Sequence, residues 1–309
     1  IRRQRQMCIR DRLSGVALGL AALGNLLGQF SVWARYLCGV LSLGLMVVVS
    51  IYMFQHTEQF KQKMKHPVMM SVFGTFSMAG MLLATYVMPL SAILARIIWM
   101  IFILLHIFIA VAFTKRFVFN FDRMNVFPSW YIVYVGIVVV SVTAPVFNAL
   151  LSGQVAFIVG LVTYIMLLPI VFYRVLVTKQ FPLPAQSSIA INAAPAALLL
   201  AGYVSSFPEG SKIIFYLLMV VSQALFIYVL CRLPKIMTKQ FFPGFSAFTF
   251  PFVISALSLR VALKAAAGQG GIWPALRMIA LLEVIFATVM VGYVFIRNMK
   301  YLFQASDMN

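Results

Sequence analysis

Residues 92–113 read AILARIIWMIFILLHIFIAVAF, with Arg96 as the only formal charge. Runs of this kind recur along the whole chain. A helix of about 20 apolar residues crosses a hydrocarbon layer of about 30 Å and satisfies its own backbone hydrogen bonds. A water-soluble core has no room for many such helices. With 63% hydrophobic and 10% charged residues and a mean hydropathy of +1.01, the chain is read as an all-α polytopic membrane protein. Its 309 residues leave little for a soluble domain.

Hydropathy predicts ten spans: 13–30, 34–54, 67–87, 91–113, 128–147, 155–176, 188–205, 211–231, 244–264 and 272–296. The arginine-rich head IRRQRQMCIRDR, residues 1–12, is set apart from them. Arg2 to Asp11 back-translate without a mismatch to a transposase adapter of sequencing libraries, so the head is expected to be an artefact. On that reading the native chain begins at or before Leu13 and its start is lost. A transmembrane domain at 13–303 and a short tail at 304–309 remain. Removing five arginines and Asp11 lowers the formal charge from +18 to +14.

The remaining cations choose a topology, because Lys and Arg accumulate in cytoplasmic loops. Loops after even spans carry Lys61, Lys63, Lys65, Lys115, Arg116, Arg123, Arg174, Lys179, Arg232, Lys235, Lys239, Arg297 and Lys300. The other side carries Arg35, Lys212 and Lys264, joined near span ends by Arg96, Arg260 and Arg277. Both termini are therefore expected in the cytoplasm of a cell with the chain in its plasma or inner membrane. The basic charge reads as topology and lipid-headgroup contact, with no nucleic acid as a partner.

Odd and even spans differ in kind. HPVMMSVFGTF, FPSWYIVYVG, INAAPAALLLAGY and FSAFTFPFV each bring a proline (Pro67, Pro128, Pro195 or Pro251) among small or hydroxyl neighbours. Even spans are plainer Leu, Ile, Val and Phe helices, with Pro169 and Pro274 as exceptions. Odd spans start 52 to 62 residues apart, which suits a helical hairpin repeated five times. Such repeats can close into a pseudo-five-fold ring with odd helices lining a central pore. There, water or neighbours can satisfy the carbonyls that proline frees. Proline and glycine are also common in membrane helices that line nothing.

GVALGLAAL (15–23), HPV (66–68), PSWY (128–131), APAALLLAGY (194–203) and AFTFPF (247–252) resemble, in order, the odd-helix signatures of the tellurite-resistance/dicarboxylate transporter family. That family includes bacterial TehA-like proteins, the plant guard-cell slow anion channel, and yeast malate and sulfite transporters. The resemblance implies a homotrimer with one pore per protomer, closed by a phenylalanine on the ninth span. Its aromatic, hydroxyl, Phe pattern falls on Phe248, Thr249 and Phe250, making Phe250 the implied gate.

Gly15, Gly19, Gly24 and Gly28 form two GxxxG steps, read as close helix packing and compatible with an open lumen. Ser141, Thr143, Asn192 and Thr249 are the polar groups best suited to replace an anion's water shell, with Pro195 and Pro251 as further lining candidates. Glu283 and His106 are ionisable groups on even spans. Glu283 suits proton coupling or a structural pairing at a protomer contact, and His106 a hydrogen-bonded structural role. His66 precedes Pro67 and suits a helix start.

Cys38 and Cys231 sit in apolar segments and suggest neither a disulfide nor a metal site, and no cofactor is expected. Six acidic residues and three histidines form no HExxH, carboxylate pair or Ser/His/Asp set, which argues against an enzyme. Transport of small anions or organic acids through a Phe-gated pore is the favoured reading. A proton-coupled dicarboxylate, sulfite or tellurite exporter is the alternative, and a non-transporting sensor or accessory subunit comes behind it.

Overall fold

The computed structural model describes residues 13–178, 183–237, 241–266 and 273–306, so the arginine-rich head at 1–12 lies outside the described residues. The described segments are helical. They are α1 (Leu13–Leu27), α2 (Val32–Gln55), α3 (Pro67–Val87), α4 (Ala92–Phe113), a fifth crossing α5 (130–147), α6 (Leu150–Tyr173), α7 (Ala194–Ser206), α8 (Lys212–Ile236), α9 (Phe250–Ala265) and α10 (Trp273–Ser306). Among the described residues, eight helical segments are long and apolar enough to cross a membrane, and Leu13–Leu27 and Gly136–Phe147 are shorter apolar helices. At about 1.5 Å per residue, the 24 residues of α2 reach roughly 36 Å. The chain is a multi-pass membrane protein.

Burial separates the crossings into two classes. The apolar windows that contain α3, α7 and α9 are 78% to 89% buried within the chain, and those of α2, α4, α6, α8 and α10 only 22% to 39%. Nearly all of α1 is buried too. The outer helices present rows of Leu, Ile, Val and Phe to the surroundings, with Trp33 and Phe54 at the two ends of α2. In a bilayer those side chains face lipid, so their exposure costs nothing. The inner crossings pack in a cycle: α1 on α3, α3 on α5, α5 on α7, α7 on α9, and α9 back on α1. Each is also paired with the outer helix that follows it in sequence.

Small residues set the closeness of this packing. A Cβ at Gly80 would enter the Phe102 ring of α4, one at Gly160 the Val138 side chain, and one at Gly19 would lie 2.5 Å from Thr249 Cβ. The first two hairpins turn alike. Ser31 caps α2 by accepting from Ala34 N–H (3.4 Å), and Ser91 caps α4 by accepting from Leu94 N–H (3.3 Å). A serine at this position satisfies an otherwise orphaned N–H of the first turn. The turn into α6 relies on Asn148 at φ 51°, a left-handed conformation that asparagine tolerates better than most residues.

Three of the odd crossings are broken, in keeping with the bends expected at their prolines. α5 alternates Trp130–Tyr134, Gly136–Val138, Val139–Thr143 and Ala144–Phe147, switching between α and 3₁₀ geometry. Its VVVSVT run is β-branched and Gly136 and Pro145 flank it, so the sequence holds regular helix weakly. The seventh begins as a 3₁₀ stretch, Ser187–Ala193, before α7 starts, and the ninth begins as Pro243–Phe248 before α9. α10 continues to Ser306, into the stretch assigned to a tail, because no Pro or Gly intervenes after Gly292. On the α2–α3 connection the exposed helix Thr57–Lys63 carries a Glu58–Lys61 pair at 2.7 Å, and the lysine's hydrogen bond and charge hold the Glu58 carboxyl below its ordinary range.

Candidate functional site

Two of the broken crossings share one construction. In each, a 3₁₀ run gives way to an α-helix inside the protein, with proline as the second helical residue: Ala194–Pro195 and Phe250–Pro251. At that position the missing N–H removes no intrahelical bond. Thr249, immediately before α9, takes φ −97° and ψ −83°, outside helical geometry, and the chain bends there. Phe250 is thus the first residue of a helix that starts deep in the fold.

Around this bend lie two cavities. The first, of about 70 Å³, is bounded by the N-terminal halves of the inner crossings, including Gly15, Val72, Thr75, Tyr131, Ile191, Pro195, Ser246 and Pro251. The second, of about 240 Å³, lies toward their C-terminal ends and is bounded by Asn25, Arg35, Leu82, Thr85, Thr143, Ala201, Ser205, Ile254 and Val261 among others. Two residues border both: Leu198 of α7 and Phe250 of α9. Their side chains are 3% and 7% exposed. A benzyl and an isobutyl group therefore stand between the chambers.

The lower chamber, the one at the helix starts, has hydroxyls and no ionised lining residue. Thr75 donates to Ser14 Oγ (2.8 Å) or to Val72 O (2.8 Å), which ties α3 to α1. Tyr131 Oη is buried and has no hydrogen-bond partner. The upper chamber contains a cation, Arg35, whose Nη2 donates to Thr85 O (3.1 Å), while Asn25 Nδ2 donates to Thr85 Oγ1 (3.3 Å). Thr143 also borders it, but its hydroxyl donates back to Val139 O (2.8 Å) and accepts from Trp99 Nε1 (2.9 Å). That hydroxyl has no proton left for a ligand.

Of the lining candidates read from the sequence, Gly15, Pro195 and Pro251 border the lower chamber, Thr143 the upper, and Phe250 both. Ser141, Asn192, Thr249 and Gly19 border neither. Ser141 donates to Gly153 O (2.7 Å), Asn192 Nδ2 to Ile189 O (2.8 Å), and Thr249 Oγ1 lies within reach of Ser246 O (2.7 Å) and Gly15 O (3.0 Å). Ile189 O and Ser246 O belong to the 3₁₀ runs, Gly153 O and Gly15 O to continuous helices, so in each case the polar side chain is spent on a nearby backbone carbonyl. Gly19 has its would-be Cβ position filled by Thr249, so it permits close approach of α1 to α9. Gly24 and Gly28 face Arg35 and its neighbours on α2. Arg35, Thr75, Thr85, Tyr131 and Leu198 were not singled out by the sequence reading. Thr75 and Thr85 lie on an odd span and were visible in principle; Arg35 belongs to an even one.

His106 and Glu283, the ionisable groups read from the even spans, lie apart from both chambers. His106 is buried, its Nε2 lies 3.1 Å from Val133 O and its Nδ1 2.7 Å from Ser77 Oγ. A carbonyl only accepts, so the ring carries its proton on Nε2. His106 thereby cross-links α3, α4 and α5. Glu283 is 3% exposed, with Gln223 of α8 as its polar neighbour, and it is enclosed within the chain. Its carboxylate oxygens make no hydrogen bond of good geometry.

The family model SLAC1, described as voltage-dependent anion channel, matches residues 13–299. The chain belongs to this family. A search of curated proteins finds no match. The SLAC1 family is one of anion channels and transporters and not of enzymes, in keeping with a site made of hydroxyls, apolar walls and one arginine. The match begins at Leu13 and runs into α10, so it takes in both chambers and every crossing.

Proposed function

We propose that this chain moves small anions or organic acids passively through a pore that runs along the axis of the inner crossings and is closed at Phe250. The observation that carries the reading is the pair of cavities, one toward the starts and one toward the ends of the inner crossings, that share Phe250 and Leu198 as lining residues. A narrow apolar constriction closes a pore by steric exclusion and by dewetting, and rotation of one ring reopens it. Phe250 suits that role because it sits at a helix start beside a bend, where the backbone next to Thr249 is already non-helical. The hydroxyls of Ser246 and Tyr131 below it are weak neutral ligands, which let an anion shed water without being held too long.

On this reading the five inner crossings form a pore ring and the basic loops after α2, α4 and α8 face the cytoplasm. The protein works as a homotrimer in a cell membrane, with both termini inside. With the cell interior negative, a passive pore of this kind favours anion efflux. The test is flux from purified protein in liposomes, for the chain from Leu13 onward and its Phe250→Ala variant, across chloride, nitrate, sulfite and malate. Flux that rises in the variant and ranks the anions supports the gate. Equal flux in well-folded protein overturns it.

A second reading, proton-coupled export of a dicarboxylate, sulfite or tellurite, draws on Glu283, a carboxylate buried among apolar helices with its oxygens unpaired. Against it, Glu283 borders neither chamber. Glu283→Gln separates the two: loss of dependence on a pH gradient favours the carrier, and unchanged flux favours the channel.

A further inference from the structure

We propose that the upper chamber contains a binding site for a small monovalent anion, with the guanidinium of Arg35 as its cation. The proposal rests on the anion-transport reading and deepens it. Arg35 lies in the first turn of α2, an outer helix, yet its side chain borders the inner cavity. The route is opened just past the end of α1: a Cβ at Gly28 would lie 3.0 Å from Arg35 Cδ, so glycine there leaves room for the arginine stem. Two contacts then fix the head group. Nη2 donates to Thr85 O at 3.1 Å, and the guanidinium carbon lies 4.9 Å from the centre of the Tyr86 ring. Tyr86 is itself held by donating to Ala21 O at 2.6 Å.

What this arrangement lacks is an anion. No acidic residue borders the chamber, and among the described residues the one ion pair is Lys61–Glu58, on a connecting helix. Arg35 Nε is buried without any hydrogen-bond partner. A guanidinium stays charged under all physiological conditions, and a buried donor on a cation is costly when left unused. An anion in the chamber would supply both the counter-charge and the acceptor. The Asn25 amide, which gives one Nδ2 proton to Thr85 Oγ1, stands on the same wall with its second proton to receive the other side, while Thr85 spends its own proton on Leu82 O (2.7 Å). The chamber, at about 240 Å³, holds a halide or nitrate with part of its water shell. Because one guanidinium N–H is committed to Thr85 and the charge is shared with the Tyr86 face, the site concentrates anions above Phe250 without trapping them.

The experiment has two arms. In detergent, chloride binding to the whole protein is followed by ³⁵Cl NMR line broadening with nitrate as competitor, for the native chain, Arg35→Lys and Arg35→Gln. In liposomes, chloride flux is compared in the Phe250→Ala background with and without each Arg35 change. Expected are loss of competable broadening and a roughly three- to tenfold fall in flux for Arg35→Gln at low salt, with Arg35→Lys in between. The flux difference should shrink as ionic strength rises, because a partly exposed charge is screened. Broadening unchanged in Arg35→Gln, or a flux loss that lysine does not relieve and salt does not alter, overturns the site and leaves Arg35 as a brace between α2 and α3. If the Phe250→Ala protein conducts nothing while competable chloride binding still needs Arg35, the gate reading fails and the site stands.

Discussion

The two chambers on either side of Phe250 are built from the same five crossings and differ in chemistry. The lower one is bounded by the helix starts, where proline, 3₁₀ turns and serine or threonine hydroxyls leave a neutral, weakly polar wall. The upper one is bounded by the C-terminal halves of the inner crossings, the 3₁₀ end of α5 among them, and borrows an arginine from an outer helix. Serine and threonine hydroxyls bond back to backbone carbonyls in bent and regular segments alike, as Thr249 does to Ser246 O and Thr85 to Leu82 O, so the segments with the most polar residues end up with few free donors. A guanidinium carries several N–H donors, so Arg35 keeps some for the upper chamber after bonding Thr85 O. Polarity in the sequence and polarity available to a ligand are separate quantities.

Joining the chambers is the most severe way to erase the contrast. Phe250→Ala is expected to raise anion flux by roughly tenfold or more, since a tenfold change needs only about 1.4 kcal/mol off the barrier. Liposome flux measures it. Next in size is Gly24→Ala, whose new Cβ would collide with the Tyr86 hydroxyl and lie 2.8 Å from both Arg35 O and Cys38 Cβ. Overpacking of this kind typically costs about 1–3 kcal/mol. A lower Tm in detergent, together with weaker chloride binding because Arg35 is displaced, is the outcome that ties the upper site to the α1–α2 contact.

Leu198→Ala trims the other half of the barrier and should raise flux by less than Phe250→Ala, roughly two- to fivefold, because the ring remains. Flux equal to that of Phe250→Ala would make Leu198, not Phe250, the main obstruction. Tyr131→Phe removes the unpartnered hydroxyl of the lower chamber without altering the upper one. A change of roughly twofold in flux and none in chloride binding is expected, as one neutral hydrogen bond contributes about 1 kcal/mol at most in such a site. Chloride binding that falls with Tyr131→Phe would show that the lower chamber also holds an anion and would dissolve the contrast.

Much of this architecture is legible in the order of residues. Hydropathy is a local property, so ten apolar stretches and their approximate ends follow from it, and so does membership of the inner or outer class. Pro67, Pro195 and Pro251 mark helices that avoid lipid, where freed carbonyls find partners, while the runs of Leu, Ile and Val mark those that meet it. The breaks in α5 and before α7 and α9 are implied by β-branched residues, Gly136 and prolines, although where each break falls depends on neighbouring helices.

Which polar groups remain for a ligand was decided only by packing. Ser141, Asn192 and Thr249 have the right chemistry on the right helices, yet rotation of each segment brings a carbonyl within reach of the side chain. Thr143 borders the upper chamber with its hydroxyl already occupied. Arg35 could not be read as part of the interior, because its helix is lipid-facing and its position near a loop explains its charge equally well. It reaches the chamber through the gap at Gly28, in the turn after α1, and over Tyr86 of α3. Helices that are apolar on every side carry little signal of which face points inward, so side-chain direction becomes a property of contacts between segments distant in the chain.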